Sequence, residues 1–312
     1  MLQRVLLVKL RFLKKNEYEL SVIVIFFNMR REAQRTLYSL SREYQKDLGS
    51  LSYEVIAIDN GSSEPIDRNL VESFGANFRY VYFNANTPSP CSALNYGAHI
   101  AKGKWITLFI DGARIPSPGI LHYAVLGSRL YENPFIYTLG MHIGQKPQNY
   151  LAEEDYSQRD EDALLASIDW QRDGYLLFDI SSVALSSKEG YFSKLLESNC
   201  ITISGATFQE IGGFDENFRS SGGGLVNLDF FNRINAADHI NPVMLLGEAT
   251  FHQFHGGTAT NVPLRDHPWD KMAQEYLKIR GKPYQPYFRK PVYFGSVHSK
   301  CYHLFKHSEE SW

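Results

Sequence analysis

Lys104-Trp105-Ile106-Thr107-Leu108-Phe109-Ile110-Asp111-Gly112-Ala113-Arg114 decides the fold of this chain. Trp105 to Ile110 is apolar, rich in aromatic and β-branched residues, and bounded by Gly103 and Gly112. That is the pattern of a strand buried on both faces, as in a parallel sheet. The run then delivers one acid, Asp111, at its carboxyl end, where open α/β sheets hold their ligands. Upstream, Ser89-Pro90 supplies an N-cap and a first-turn proline for a helix through Ala93, Leu94, Gly97, Ala98 and Ala101. Downstream, Ser117-Pro118 repeats the start signal for another helix.

The same alternation extends to both sides. Ser21 to Phe27 reads as a buried strand, after which Asn28 is placed to cap a helix with Ala33, Leu37, Leu40 and Tyr44 inward. Tyr53 to Ile58 is a second strand, ending in Asp59-Asn60-Gly61-Ser62-Ser63, and Phe78 to Phe83 is a third. Strands alternating with helices predict an α/β fold with a mostly parallel central sheet flanked by helices. Asn28, Asp59 and Asp111 then share one rim.

The second half is less regular and predicts a small second sheet. Strands are expected at Phe135–Gly144, Cys200–Ser204 and Pro242–Phe251, the last ending in His252-Gln253-Phe254-His255. The acidic stretch Glu153–Asp173 reads as exposed helix or loop. Thr207–Phe218 reads as a short helix broken by Gly212-Gly213, and Leu228–Ile234 opens a helix carrying Asp229 and Arg233. The expected organisation is a basic N-terminal segment (1–19), one catalytic domain (20–260) and a basic, aromatic C-terminal extension (261–312).

Composition excludes several classes. A net charge of −2 gives no global case for nucleic-acid binding. Three widely spaced cysteines, Cys91, Cys200 and Cys301, argue against a disulfide framework or a cysteine zinc site and for a reducing compartment. No apolar run reaches transmembrane length, and the N-terminus lacks the pattern of a signal peptide, so a cytoplasmic protein is expected. Residues 1–16 carry Arg4, Lys9, Arg11, Lys14 and Lys15 with no acid, and 276–307 is likewise acid-free. These basic ends read either as solvated surface or as contacts for anionic lipid at the inner face of a membrane. G-x-G-x-x-G, the P-loop, G-x-S-x-G and H-E-x-x-H are all absent, which removes the common dinucleotide, NTPase and hydrolase signatures.

SVIVIFFN, EVIAIDNGSS, the helix with Ala93, Asn95 and Gly97 leading to GKWITLFIDGA, then IGGFDENF and LDFFNR, in this order over residues 20–257, resemble family 2 glycosyltransferases of the GT-A fold. The resemblance implies a transferase that moves a sugar from a nucleotide-diphosphate donor to a glycan or lipid-linked acceptor, of the hexosyl- or N-acetylhexosaminyl-transferase class. It implies that Asp59 binds the nucleobase, that Phe27 and Asn28 flank it, and that Asp111 holds ribose or a divalent metal, Mn²⁺ or Mg²⁺, on the diphosphate. It places Gly213, Phe214 and Asp215 on the acceptor side, and His252 where a histidine completes the metal shell. Two departures mark this chain. The second carboxylate of the Asp-x-Asp motif is replaced by Ala113, and the Glu-Asp pair that supplies the family's base lies where Val226 and Asn227 stand.

Each residue also has a structural reading. Asp59 and Asp111 suit turns, since Asp bonds its own backbone. Asp229 is the candidate base, but an acid four residues before Arg233 equally makes an i,i+4 pair. His252 and His255 are metal ligands with Asp111 or surface polar residues. Arg114 is the alternative, metal-free cation for the leaving diphosphate. The rival to an enzyme is a nucleotide-sugar-binding or scaffold protein that kept the fold and lost its acids.

Overall fold

A computed structural model describes residues 16–85, 87–188 and 190–305. The basic run at 4–15 and the last seven residues of the C-terminal extension lie outside the described residues. In chain order the strands are β1 (Tyr18–Phe26), β2 (Tyr53–Asp59), β3 (Phe78–Tyr82), β4 (Gly103–Phe109), β5 (Arg114–Pro116), β6 (Pro134–Ile143), β7 (Ser181–Val183), β8 (Cys200–Ser204), β9 (Asn241–His252) and β10 (Val292–Gly295). The α-helices are α1 (Arg30–Ser39), α2 (Arg68–Ser73), α3 (Cys91–Ile100), α4 (Ile120–Gly127), α5 (Gln148–Leu151), α6 (Gln158–Ala166), α7 (Gly205–Glu210), α8 (Val226–Asn235) and α9 (Trp269–Arg280).

The strands join in the order β10-β9-β6-β8-β4-β1-β2-β3, with β5 paired to β9 and β7 to β6. The smaller second sheet expected from the sequence is therefore continuous with the first. The β4-β1-β2-β3 half is parallel throughout, as are the β6–β9 and β9–β10 pairs; β8 runs antiparallel between β4 and β6. Alternation along each strand feeds two apolar layers. Ile23, Ile25, Ile106 and Leu108 pack on one face, and Val22, Val24, Trp105 and Phe109 on the other. Both faces being covered is why these strands are mostly apolar, with their buried polar groups, Ser21, Glu54 and Thr107, hydrogen-bonded.

Register fixes the ligand rim. Phe26 lies opposite Asp59, and Val24 opposite Phe109, so β1, β2 and β4 end together. The short β5 then turns back antiparallel onto β9 with Arg114 opposite His252. That pairing carries the Asp111 loop onto the end of β9.

Two expectations are corrected by local geometry. Asn28 does not cap α1: it sits at φ +52°, Met29 takes the N-cap position, and the Asn28 Oδ1 accepts from Ser63 N at 3.0 Å. The acidic stretch is not all exposed. Glu161 on α6 is buried and accepts from Phe254 N at 2.5 Å while facing Arg31 and Arg35, so it pins the loop after β9. Burial pushes its carboxyl up to about 7 against the pull of the Phe254 amide and the two guanidiniums. At the other end, β10 adds a parallel strand to β9, and Arg289 donates to the carbonyls of Ala237 and Ile240.

Gly112 is where β4's rim loop passes closest to β1. A Cβ there would lie 2.4 Å from the Ile25 carbonyl oxygen and 2.5 Å from the Phe26 ring. Gly112→Ala is expected to destabilise the fold by about 1–3 kcal/mol, the scale of overpacking. Thermal unfolding checks it; an unchanged melting temperature would show that the loop has room.

Candidate active site

The site is assembled by three chain segments arriving at one point. The β4–β5 loop presents Asp111, whose Oδ1 accepts from Ala113 N at 2.9 Å and whose Oδ2 faces outward from the turn. The end of β9 presents His252, fully buried, with Nε2 at 2.8 Å from Asp111 Oδ2. The following loop presents His255, with Nε2 at 3.7 Å from the same oxygen and 3.2 Å from His252 Nε2. All three ligand atoms lie within 4.8 Å of one another.

Gln148, at the start of α5, sets which nitrogen of His252 faces the acid. Its Nε2 donates to the carbonyl of His252 at 2.9 Å, and its Oε1 accepts from Asn261 Nδ2 at 2.8 Å. The same Oε1 lies 2.6 Å from His252 Nδ1. An amide oxygen only accepts, so Nδ1 carries the hydrogen and the Nε2 lone pair points at Asp111. Two acceptors at 2.8 Å require a proton or a cation between them. Burial pushes His252 down to about 4 against the attraction of Asp111, which disfavours the proton. Asp111 itself, with burial opposing, is held well below the usual carboxylate range by His252 and His255. His255 is raised: burial lowers it, and the Asp111 charge more than compensates.

This donor set fits a divalent cation. Metal–ligand bonds of about 2.1 Å at right angles place neighbouring ligand atoms about 3.0 Å apart, and the observed separations of 2.8, 3.2 and 3.7 Å bracket that value. Two imidazoles and one carboxylate suit Mn²⁺ or Zn²⁺ better than Mg²⁺. Ala113 is fully buried in an apolar layer, with its carbonyl accepting from Gln253 N at 2.8 Å. A carboxylate at that position would face the core, which leaves Asp111, His252 and His255 as the group that could hold a cation.

Arg114 lies beneath this cluster, buried; its Nε is 3.9 Å from Asp111 Oδ2 and has no hydrogen-bond partner among the described residues, while its Nη1 donates to Thr250 Oγ1 at 3.5 Å. Burial lowers its pKa despite Asp111 and Glu197. Beside the cluster opens a cavity of about 1010 Å³. Its walls include His142, which pairs in register with His252, the 221–224 glycine loop, and the C-terminal Trp269 and Tyr284.

Other sequence candidates sit elsewhere or work differently. Phe27 and Asn28 are exposed just beyond the end of β1. The Asp59 carboxylate is fully buried and accepts from Ser62 N at 2.8 Å and Ile66 N at 3.0 Å, so it shapes the rim loop from within. Asp229 is also buried; its oxygens accept from Arg233 Nε at 2.8 Å and Arg280 Nε at 2.6 Å. Two guanidiniums hold Asp229, and the i,i+4 pair with Arg233 is what the geometry shows. Gly213, Phe214 and Asp215 do not line the large cavity. Arg233 binds the Gly213 carbonyl, Phe214 stacks on Phe230 at 4.6 Å, and Asp215 pairs with Arg280 at 2.7 Å. Gln148, Asn261, His142 and Glu197 were not singled out by sequence; only His142, through strand register with His252, left a usable signal.

Residues 21–118 match the model of the family described as Glycosyl transferase family 2, in line with the resemblance over that part of the chain. No curated protein sequence matches the chain. Among solved structures, TarS 1–349 from S. aureus gives a TM-score of 0.50 at 15% identity, covering 83% of this chain and 65% of that one. A longer S. aureus TarS chain gives 0.49 at 15% identity over 75% of this chain and 36% of that one. This chain thus spans between about a third and two thirds of the TarS chains. Mannosyltransferase PcManGT from Pyrobaculum calidifontis, in complex with GDP-Man and Mn²⁺, gives 0.46 at 14% identity over 91% of this chain and 73% of that one. The likeness to TarS shows the GT-A fold.

The buried Asp59 yields a prediction about folding as well as binding. Asp59→Ala leaves two rim amides without an acceptor, at about 1–3 kcal/mol for each buried group. The expected result is a lower melting temperature together with weaker nucleotide binding. Unchanged stability in this variant would show that water replaces the carboxylate.

Proposed function

We propose that the protein is a metal-dependent glycosyltransferase that moves a sugar from a nucleotide-diphosphate donor to a glycan or lipid-linked acceptor. The observation that carries the reading is the convergence of Asp111, His252 and His255 on the ligand rim, beside a cavity large enough for a saccharide. Residues 20–260 form the proposed catalytic unit, with the described part of the C-terminal extension, 261–305, packed on it.

Phe27 and Asn28 flank the nucleoside, and the loop shaped by Asp59 closes the base side. Asp111, His252 and His255 hold the cation, with Mn²⁺ favoured over Mg²⁺ by the imidazoles. A bound divalent cation supplies charge neutralisation for the leaving diphosphate. Gln148 keeps the His252 lone pair on target, the usual duty of a group hydrogen-bonded to a liganding imidazole. Arg114, buried behind Asp111, holds the acid's charge in place. The acceptor side shifts from Gly213–Asp215 to the 221–224 loop and the cavity behind it.

Contact with anionic lipid is the weaker part of the proposal. Arg280, Arg289 and Lys300 are bound within the fold, which leaves exposed Lys271, Lys278 and Lys282 to make such a contact. No helix among the described residues is long and apolar enough to cross a membrane.

Titration calorimetry with UDP and GDP, with and without Mn²⁺, tests the donor site. Binding should require Mn²⁺, vanish with EDTA, and vanish in His252→Ala. Gln148→Ala should weaken Mn²⁺ affinity roughly 10–100-fold. Equal nucleotide affinity with and without metal in every variant would pass the diphosphate to Arg114, and binding without any turnover would favour the scaffold reading.

A further inference from the structure

A carboxylate outside the motifs described so far stands on the same rim as Asp111. Strand β8 runs antiparallel to β4 with Phe109 opposite Cys200, and the ladder continues one step further through Ile110 N donating to Asn199 O at 3.2 Å. Glu197 lies two residues before Asn199, just past the rim and one strand over from Asp111. It lines the 1010 Å³ cavity together with His142, whose ring centroid is 5.4 Å from that of His252. The cavity therefore reaches from the edge of the metal cluster to this acid.

Glu197 is held by a neutral amide, with the buried Arg114 guanidinium near enough to feel its charge. Its Oε2 accepts from Asn227 Nδ2 at 3.3 Å, and that amide also donates to Ser198 O at 3.2 Å. No salt bridge to Glu197 forms among the described residues, in contrast to Asp229 and Asp215, both bound by Arg280. Beside it, Asn227 Oδ1 and the Tyr284 hydroxyl are buried polar atoms with no partner among the described residues. A ligand rich in hydroxyl groups would satisfy both. The Tyr284 phenol is raised by burial first and by the Glu197 charge second, which places the two groups in one electrostatic environment. The cavity's other carboxylate, Asp270, is an exposed residue in the first turn of α9.

We propose that Glu197 is the catalytic base that takes the proton from the acceptor hydroxyl, an inference that rests on the glycosyltransferase reading above. In that step the acceptor oxygen forms a bond to the anomeric carbon while its proton passes to the Glu197 carboxylate. The bond from the anomeric carbon to the diphosphate oxygen breaks, and its electron pair leaves on the diphosphate. Asn227, at the position where the family's paired acids would fall, becomes the group that aims the base. A base must sit within hydrogen-bond reach of the hydroxyl, directly or through one water, and the shared cavity provides that reach.

Water can stand in for the unidentified acceptor. UDP-GlcNAc, GDP-mannose and dTDP-glucose are incubated with the full chain and Mn²⁺, and nucleoside diphosphate release is followed. Glu197→Gln should cut the release rate by roughly 100-fold or more, the usual contribution of a general base. UDP and GDP affinity should stay within about twofold and the melting temperature unchanged, while Glu197→Asp should retain measurable turnover. Release at the wild-type rate from a folded Glu197→Gln that binds nucleotide would overturn the assignment and leave the transferase reading intact. Absence of nucleotide binding or of any release by the wild-type protein would overturn both.

Discussion

Asp111 Oδ2 and His252 Nε2 face each other at 2.8 Å, and the ligand rim is organised to keep them there. Gln148 fixes the imidazole from behind, and Asn261 and the His252 carbonyl fix Gln148. Glu161 ties down the backbone of Phe254, so the loop carrying His255 cannot swing away. On the opposite side, Ala113 N holds the other carboxylate oxygen and the β5–β9 pairing holds the loop. Such support is wasted on an ordinary surface ion pair, worth about 0–1 kcal/mol. It makes physical sense where a cation is to be received by lone pairs already in position.

The architecture accounts for how two histidines can do what a second aspartate would otherwise do. The Ala113 side chain points into the apolar layer under β1 and α1, where an ionised group would lose its hydration without a partner. The end of β9 reaches the rim because β5 returns antiparallel onto it with Arg114 opposite His252. The proposed ligand set thus moves from one strand end to its neighbour on the same sheet edge. Arg114, buried and stripped of most hydrogen bonds, adds fixed positive charge behind Asp111.

The parallel half of the fold was open to sequence reading because its strands are covered on both faces. Short, continuous apolar runs such as 105–110 and 53–58, bounded by turn residues, suit a doubly covered strand, and Asp111 at the end of one is an anomaly that invites a role. His252 and His255 were legible for a similar reason, as paired imidazoles after the last buried strand. The failures come from side chains whose meaning is set by distant partners. Asp59 reads as a free acid in sequence, yet its oxygens are taken by amides three and seven residues on. Asp229 reads as a base until Arg280, fifty-one residues away, closes on it. Gly213, Phe214 and Asp215 belong to a contact set completed by Arg233 and Arg280. Glu161, in a stretch that looks solvated, is buried only because α6 meets Arg31 and Arg35 of α1.

Arg280 links these failures to the site. By binding Asp215 and Asp229 together it joins the C-terminal helix α9 to the loop before α8 and to α8 itself. Glu275 on the same helix accepts from Arg219 N at 2.8 Å and Ser220 N at 2.9 Å, so the glycine loop at the cavity wall is held by the C-terminal segment. Tyr276 packs against Phe218 beneath it, with ring centroids 6.0 Å apart. The basic composition that suggested a separate surface for residues 261–312 therefore has a local cause. Arg280 and Arg289 pair with acids of the catalytic unit, and Trp269 and Tyr284 line the cavity. Asp215 and Asp229 are thus bound by Arg280, whereas the carboxylate on that cavity, Glu197, is met by the Asn227 amide.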